Sequence, residues 1–182
     1  MRDRYGREVS DLRISLTQRC NLKCVFCHME GQPKSREELR PAEIERAVRA
    51  AAAIGVDRVK LTGGEPTLRT DIVEIIQRIA PLVDEVSMTT NGLLLESLAA
   101  PMHAAGLDRV NVSLPSLDAA TYERLTGVDG VDRAVRGIRA AKAAGLAPIK
   151  LNVVALAGLT DERTAVDRLV AFAQDVGAWV LL

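Results

Sequence analysis

Residues 12–27 have the sequence LRISLTQRCNLKCVFC, which combines a strand-like alternation with three closely spaced cysteines. Every second side chain of residues 12–17 is apolar, as in a β-strand with one apolar and one polar face. Cys20, Cys24 and Cys27 follow at once in a CxxxCxxC spacing, and the chain has no other cysteine. Disulfide frameworks of secreted proteins use an even, dispersed set of cysteines. We therefore expect these three thiols to bind a metal.

Three thiolates suit a 4Fe–4S cluster, because soft sulfur ligands stabilise iron and three of them leave one iron open to another ligand. A zinc site would want a fourth ligand, and His28 is adjacent to Cys27 and poorly placed to join the same tetrahedron. Residues 24–28 also spell CxxCH, the attachment signature of c-type haem, although such attachment is expected in an exported protein. Cysteines that only fill a core are the third alternative. We predict a cluster held by Cys20, Cys24 and Cys27.

A second motif, LTGGEP, occupies residues 61–66 directly after the next predicted strand. Gly63 and Gly64 lack a Cβ, so the backbone can approach a ligand closely. Glu65 can accept a hydrogen bond from such a ligand, and Pro66 stiffens the exit of the turn. A Gly-Gly-x-Pro turn between a strand and a helix is common by itself. Because this one follows the cysteine motif by one strand, the two motifs together are a much more specific signal than either alone.

Short strand patterns alternate with longer helical patterns along the chain. The predicted strands cover residues 12–17, 58–62, 85–89, 109–114, 148–154 and 179–182. The predicted helices cover residues 41–55, 94–105, 131–144 and 161–176, with one more that follows a capping Asp71. This alternation implies a parallel sheet with right-handed crossovers. We predict an α/β fold, a partial (β/α)6 TIM-like barrel truncated at its sixth strand, in one domain over residues 1–182.

One face of the predicted sheet is polar, which is unusual because parallel strands covered on both sides are normally apolar throughout. We call this set the polar face, and it consists of Arg13, Ser15, Thr17, Lys60, Thr62, Ser87, Thr89, Asn111, Ser113, Lys150 and Asn152. Closing such a sheet would give a polar lumen for an anionic ligand in place of the packed interior of an ordinary (β/α)8 barrel. An open sheet with one solvated face is the alternative that the pattern leaves.

The composition argues against other kinds of protein. The formal net charge is zero and aromatic residues make up 3% of the chain, which disfavours a nucleic-acid partner. The N-terminal segment is charged from its second residue, and no apolar run is long enough for a membrane span. We therefore expect a cytoplasmic protein without a membrane partner. The apolar residues 179–182 end the chain inside a strand pattern, so we expect a fragment of a longer protein.

The cysteine and GGEP motifs together resemble those of the radical S-adenosylmethionine (SAM) superfamily. Longer segments are similar to the archaeal branch of one family within it, the GTP 3′,8-cyclases of molybdenum-cofactor biosynthesis; they include VKLTGGEPTLRTD, MTTNGLLL, AAGLDRVNVSLPSLDAATY and IKLNVVALAGLTD. In that family the reduced cluster cleaves SAM to a 5′-deoxyadenosyl radical. The radical removes a ribose hydrogen from GTP, which cyclises to 3′,8-cyclo-7,8-dihydro-GTP.

The resemblance implies roles for individual residues. The residues that would contact SAM are Gly63, Gly64, Glu65, Ser113 and the backbone near Phe26. The residues that would contact GTP are Arg13, Lys60, Thr89 and Lys150. At position 60 the family often has arginine, and lysine keeps the charge without the bidentate geometry.

The resemblance also implies partners and missing parts. We expect an electron donor of the reduced ferredoxin or flavodoxin type, and a homodimer. The family has a C-terminal region with a second cysteine-bound 4Fe–4S cluster, which these 182 residues lack. Two alternatives stay open: another radical SAM enzyme that modifies a peptide or a different small molecule, and a truncated fragment without catalysis.

Overall fold

The computed structural model describes residues 4–7, 9–27 and 37–181. Its strands are β1 (Asp11–Ser15), β2 (Arg58–Thr62), β3 (Glu85–Thr90), β4 (Arg109–Ser113), β5 (Lys150–Asn152) and β6 (Trp179–Leu181). Its helices are α1 (Pro41–Ala52), α2 (Ile72–Ile79), α3 (Leu95–Ala104), α4 (Ala119–Thr126), α5 (Val131–Ala144) and α6 (Arg163–Val176). None of the helices in these ranges is both long enough and apolar enough to cross a membrane.

The six strands form one parallel sheet in which each strand pairs with the next along the chain. A helix lies in every crossover between neighbouring strands. Within the described ranges β1 and β6 do not pair, so the sheet stays open. The predicted α/β fold with a partial (β/α)6 barrel is confirmed.

The core lies between the helices and the apolar face of the sheet. Val59, Leu61 and Met88 are fully buried there, and so are Ile44 and Val48 of α1. Each such aliphatic side chain contributes roughly 1.5–3 kcal/mol when it leaves water. The alternation of the strands therefore orients the sheet, with its polar face turned away from the helices.

Two local features differ from the sequence-based expectation. Helix α4 was not predicted, although its signals are present: the Asp118 carboxylate accepts a hydrogen bond from the Thr121 N–H at 2.8 Å, and Gly127 ends the helix in the left-handed region. Asp71 was expected to cap α2 and does not. Its carboxylate accepts instead from the Arg69 guanidinium at 2.6 and 2.8 Å, because a charged bidentate pair outcompetes a single backbone donor.

The largest difference in strand bounds is at β5, which is shorter than the predicted 148–154. Pro148 has no N–H to donate to a neighbouring strand, so it cannot extend the ladder. Beyond the strand, the Val153 N–H still donates to the Leu181 carbonyl at 2.8 Å.

Candidate functional site

The three cysteines lie on the loop that follows β1, at the carboxyl end of the sheet. All three are free thiols; Cys24 is half-buried, and Cys20 and Cys27 are exposed. Burial, followed by the neighbouring Cys20 and Cys27 thiolates, raises the pKa of Cys24 to about 11. Burial also raises the pKa of Cys20, and Glu65 and Cys27 add to the effect. The structure therefore places the three predicted ligands on one loop.

Three thiols on one loop are a donor set that suits an iron–sulfur cluster. Thiolates crowded into one loop repel each other, and bound cationic iron would relieve that repulsion. A tetrahedral zinc holds its sulfurs about 2.3 Å from one centre. In the part of the chain that the structure describes, no group of three His, Cys, Asp or Glu side chains is gathered to hold one metal ion. His28 lies outside the described residues.

The GGEP turn holds the start of the cysteine loop through its backbone. The Gly64 N–H donates to the Thr17 carbonyl at 2.7 Å, and the Glu65 N–H donates to the Arg19 carbonyl at 2.8 Å. A Cβ at Gly63 would lie 2.5 Å from the Thr17 oxygen, and one at Gly64 would overlap the Arg19 carbonyl. Both glycines are therefore needed where the turn meets the loop, and both are exposed on their other side.

The Glu65 side chain, which is expected to contact SAM, is fully buried and accepts hydrogen bonds within the protein. Oε1 accepts from the Thr67 N–H and hydroxyl at 3.1 and 2.5 Å and from the Thr90 hydroxyl at 2.7 Å. Oε2 accepts from the Asn91 N–H at 2.7 Å. Oε1 thus accepts three hydrogen bonds and Oε2 accepts one. The side chain thus joins the turn after β2 to the end of β3.

Two further contacts position the cysteine loop, and the sequence patterns did not indicate them. The Asn91 amide donates to the Asn21 side-chain oxygen at 2.7 Å, which continues the Glu65 network into the loop. On the other side, the Lys23 and Val25 N–H groups donate to carbonyls of the last turn of α4 at 2.7 and 2.9 Å. The loop is therefore held by the GGEP turn, the end of β3 and α4.

A cationic row crosses the polar face below the loop; we use this name for Arg13, Lys60, Arg109 and Lys150. The register aligns Arg13 with Lys60, Lys60 with Ser87 and Ser87 with Arg109. Lys150 aligns with Asn111, one side-chain level nearer the loop. Lys60 of this row precedes Gly64 by four residues, so the row lies about 13 Å from the GGEP turn along the strand direction.

The charges in this row act on one another. Burial first, and then the positive charges of Arg13, Arg109 and Lys150, lowers the pKa of Lys60. Among the described carboxylates, none lies within ion-pair distance of Arg13, Lys60 or Lys150. An anion bound between them would offset this repulsion.

The sequence patterns did not place Arg109 on this surface, since an arginine at the start of a strand cannot be distinguished by sequence from any other exposed cation. Its Nε and Nη2 donate to Glu85 Oε1 at 2.9 and 2.7 Å, and Nη1 donates to Asn111 Oδ1 at 3.3 Å. Nearer the amino ends of the strands, Arg58 Nη2 donates to Asp11 Oδ2 at 3.0 Å. These two ion pairs occupy the end of the polar face that is furthest from the cysteines.

The remaining predicted site residues lie at two heights along the strands: some at the carboxyl end of the sheet, near the cysteines, and one close to the cationic row. Ser113 lies at the carboxyl end of β4, beside Asn152, and half-buried Phe26 lies in the cysteine loop. Thr89 is half-buried on β3 and aligns with Asn111, close to the level of the cationic row. The residues expected to contact SAM thus lie near the cysteines, and those expected to contact GTP lie deeper on the polar face.

Residues 14–170 match the family model described as "Radical SAM superfamily". The chain belongs to the radical SAM superfamily. This membership confirms the expected cofactors, a 4Fe–4S cluster and SAM.

Among solved structures, this radical SAM chain is similar to Streptococcus suis SuiB bound to S-adenosylmethionine, with a TM-score of 0.78 and 26% identity over 94% of this chain and 40% of that one. It also shares the fold of anSMEcpe with bound AdoMet, at a TM-score of 0.73 and 19% identity over 96% of this chain and 51% of that one.

Curated relatives of this radical SAM chain carry a more specific name. It is 54% identical to the "Probable GTP 3′,8-cyclase" of Thermococcus kodakarensis, over 87% of this chain and 52% of that protein. It is 50% identical to the protein of the same name from Pyrococcus abyssi, over 97% of this chain and 56% of that protein. The chain thus spans about half the length of these relatives.

Proposed function

We propose that this chain is the radical SAM core of a GTP 3′,8-cyclase, the enzyme that converts GTP to 3′,8-cyclo-7,8-dihydro-GTP. The observation that carries the proposal is the cationic row on the polar face, beneath the loop with the cysteines. Arg13, Lys60 and Lys150, which have no described carboxylate within ion-pair distance, suit a triphosphate, which presents several negative charges in a line. The similarity to the archaeal cyclases supports the same substrate.

Each group of residues has a separate task in this proposal. Cys20, Cys24 and Cys27 hold the cluster, and the exposed sides of Gly63 and Gly64, with Ser113 and the backbone at Phe26, contact SAM. The bound cofactors supply the hydrogen-abstraction chemistry. Arg13, Lys60 and Lys150 bind the triphosphate, and Thr89 binds GTP at the level of Lys150. Substrate is therefore held a fixed distance below the cofactors, which orients it for reaction.

The proposal extends to the rest of the protein and its partners. Residues 1–182 act as one radical SAM domain, and the remaining parts needed for GTP turnover belong to the region that the longer relatives have in addition. Electrons come from a reduced ferredoxin or flavodoxin. The protein works as a homodimer in the cytoplasm.

Lys150→Ala is expected to weaken GTP binding about tenfold in the full-length protein. A hydrogen bond to a charged group contributes about 1.5–3 kcal/mol, and 1.4 kcal/mol corresponds to one factor of ten in Kd. Lys60→Ala should have a similar effect, and both losses should grow smaller at high salt. Isothermal titration calorimetry with GTP measures them.

Arg46→Ala is the matched control, because it removes a cation from the exposed surface of α1. Its Kd for GTP should equal that of the wild type. Unchanged affinity in Lys150→Ala and Lys60→Ala would contradict the triphosphate assignment, and it is the result expected of a peptide-modifying enzyme.

A further inference from the structure

Trp179, the first residue of β6, has a large aromatic side chain that is not buried in the core. It is 64% exposed, whereas Val180 beside it packs against the core. Successive side chains of a strand point to opposite faces of the sheet, so Trp179 lies on the polar face. Core packing therefore does not explain the position of this ring.

The neighbour of Trp179 on the polar face is Lys150, a member of the cationic row. The register of β5 and β6 aligns the two residues, so their side chains lie next to each other on the same side of the sheet. The Lys150 Nζ lies 6.0 Å from the centroid of the Trp179 ring. At about this distance an ammonium is attracted to an aromatic face, and tryptophan attracts it best among the aromatic residues. The two side chains therefore form a cation–π pair.

An aromatic ring holds a lysine without cancelling its charge. Arg109, in the same row, pairs with Glu85, and the negative charge of that carboxylate offsets its own. The indole ring is neutral, so Lys150 keeps its positive charge and its N–H donors for another partner. Trp179 thus leaves Lys150 available to an anion, whereas a carboxylate at the same place would compete with that anion.

The ring also affects how freely Lys150 moves before a ligand binds. A lysine side chain is long and flexible, and ordering it at a binding site costs conformational entropy. Lys150 and Lys60 repel each other, since the charge of Lys150 contributes to the lowered pKa of Lys60. Without an attractive neighbour, this repulsion favours conformations that turn the ammonium away from the row. A contact that already holds the ammonium lowers the cost of binding.

We propose that Trp179 is a positioning residue for the substrate, whose ring holds the Lys150 ammonium where it contacts a phosphate group. The proposal rests on the triphosphate assignment in the proposed function and adds a residue of β6 to it. Trp179 acts through Lys150 and does not itself contact the nucleotide.

Trp179→Leu tests the proposal in the full-length protein, since it removes the ring and keeps an apolar side chain. Isothermal titration calorimetry should show GTP binding about threefold weaker than in the wild type, the size expected for an exposed cation–π contact. Trp179→Phe keeps an aromatic face and should bind more tightly than Trp179→Leu. Ile54→Ala is the matched control, because it truncates an apolar side chain of similar exposure that follows α1. Its Kd should be that of the wild type.

The same substitution in a Lys150→Ala background separates this role from a direct or structural one. Trp179→Leu should then leave the Kd for GTP unchanged, because the ring has no ammonium to hold. An equal loss in both backgrounds would overturn the proposal, as it would show that the ring acts without Lys150. Wild-type affinity in Trp179→Leu, with weakened binding in Lys150→Ala, would overturn this proposal alone. Wild-type affinity in Lys150→Ala would overturn the triphosphate assignment as well.

Discussion

Cys24→Ala is expected to abolish reductive cleavage of SAM, so that 5′-deoxyadenosine falls to background in the reconstituted protein. Cys24 is the most buried of the three thiols, and its neighbours Lys23 and Val25 are fixed to α4 by backbone hydrogen bonds. Alanine there removes one of only three predicted ligands, and residues 1–182 contain no fourth cysteine to replace it. Liquid chromatography of reactions with dithionite as the reductant measures the product.

Val25→Ala is the matched control, because it truncates the next side chain of the same loop. Val25 is 70% exposed, so its truncation leaves the core unchanged. It should retain both iron content and SAM cleavage. Production of 5′-deoxyadenosine by Cys24→Ala would show that Cys24 is not a required ligand.

Glu65→Gln is expected to destabilise the protein by about 3 kcal/mol. The amide can keep one oxygen as an acceptor, but its NH2 group then faces the Asn91 N–H, which loses its partner at 2.7 Å. A buried donor against another donor costs the desolvation of both, and the charge-assisted bonds to the carboxylate are lost too. Urea unfolding of the metal-free protein under reducing conditions measures the change.

Glu123→Gln makes the same chemical change on the exposed surface of α4 and should shift the free energy of unfolding by less than about 0.5 kcal/mol. Because Asn91 also holds Asn21, Glu65→Gln should lower the iron content after reconstitution. Equal stability of the two variants would mean that the Glu65 network contributes little to the fold.

The sequence was sufficient where the chemistry is local. Strict alternation within each strand identified the polar face, because neighbouring strands of a parallel sheet in register keep their side-chain levels aligned. The cysteine spacing and the GGEP motif together were enough to predict a cluster site. The signals of α4, Asp118 before it and Gly127 after it, were also present in the sequence, but a helix of two turns adds little apolar periodicity.

The contacts that position the site could not be read from the sequence, since they join residues far apart in the chain. Asn21 and Asn91 are 70 positions apart, and either alone resembles an ordinary turn residue. Glu65 lies in a motif that suggests ligand binding, and only the folded chain shows four donors around its carboxylate. Arg109 pairs with Glu85 across two strands, so its place on the polar face depends on the sheet.

The measurement that tests the central claim most directly is anaerobic iron–sulfur reconstitution of the protein, with iron counting and EPR spectra of the reduced sample recorded with and without SAM. The account predicts about four irons per cluster site and a spectrum that shifts when SAM is added, because three protein ligands leave one iron open. Bound zinc, an absence of metal, or a four-iron spectrum that SAM leaves unchanged would contradict it.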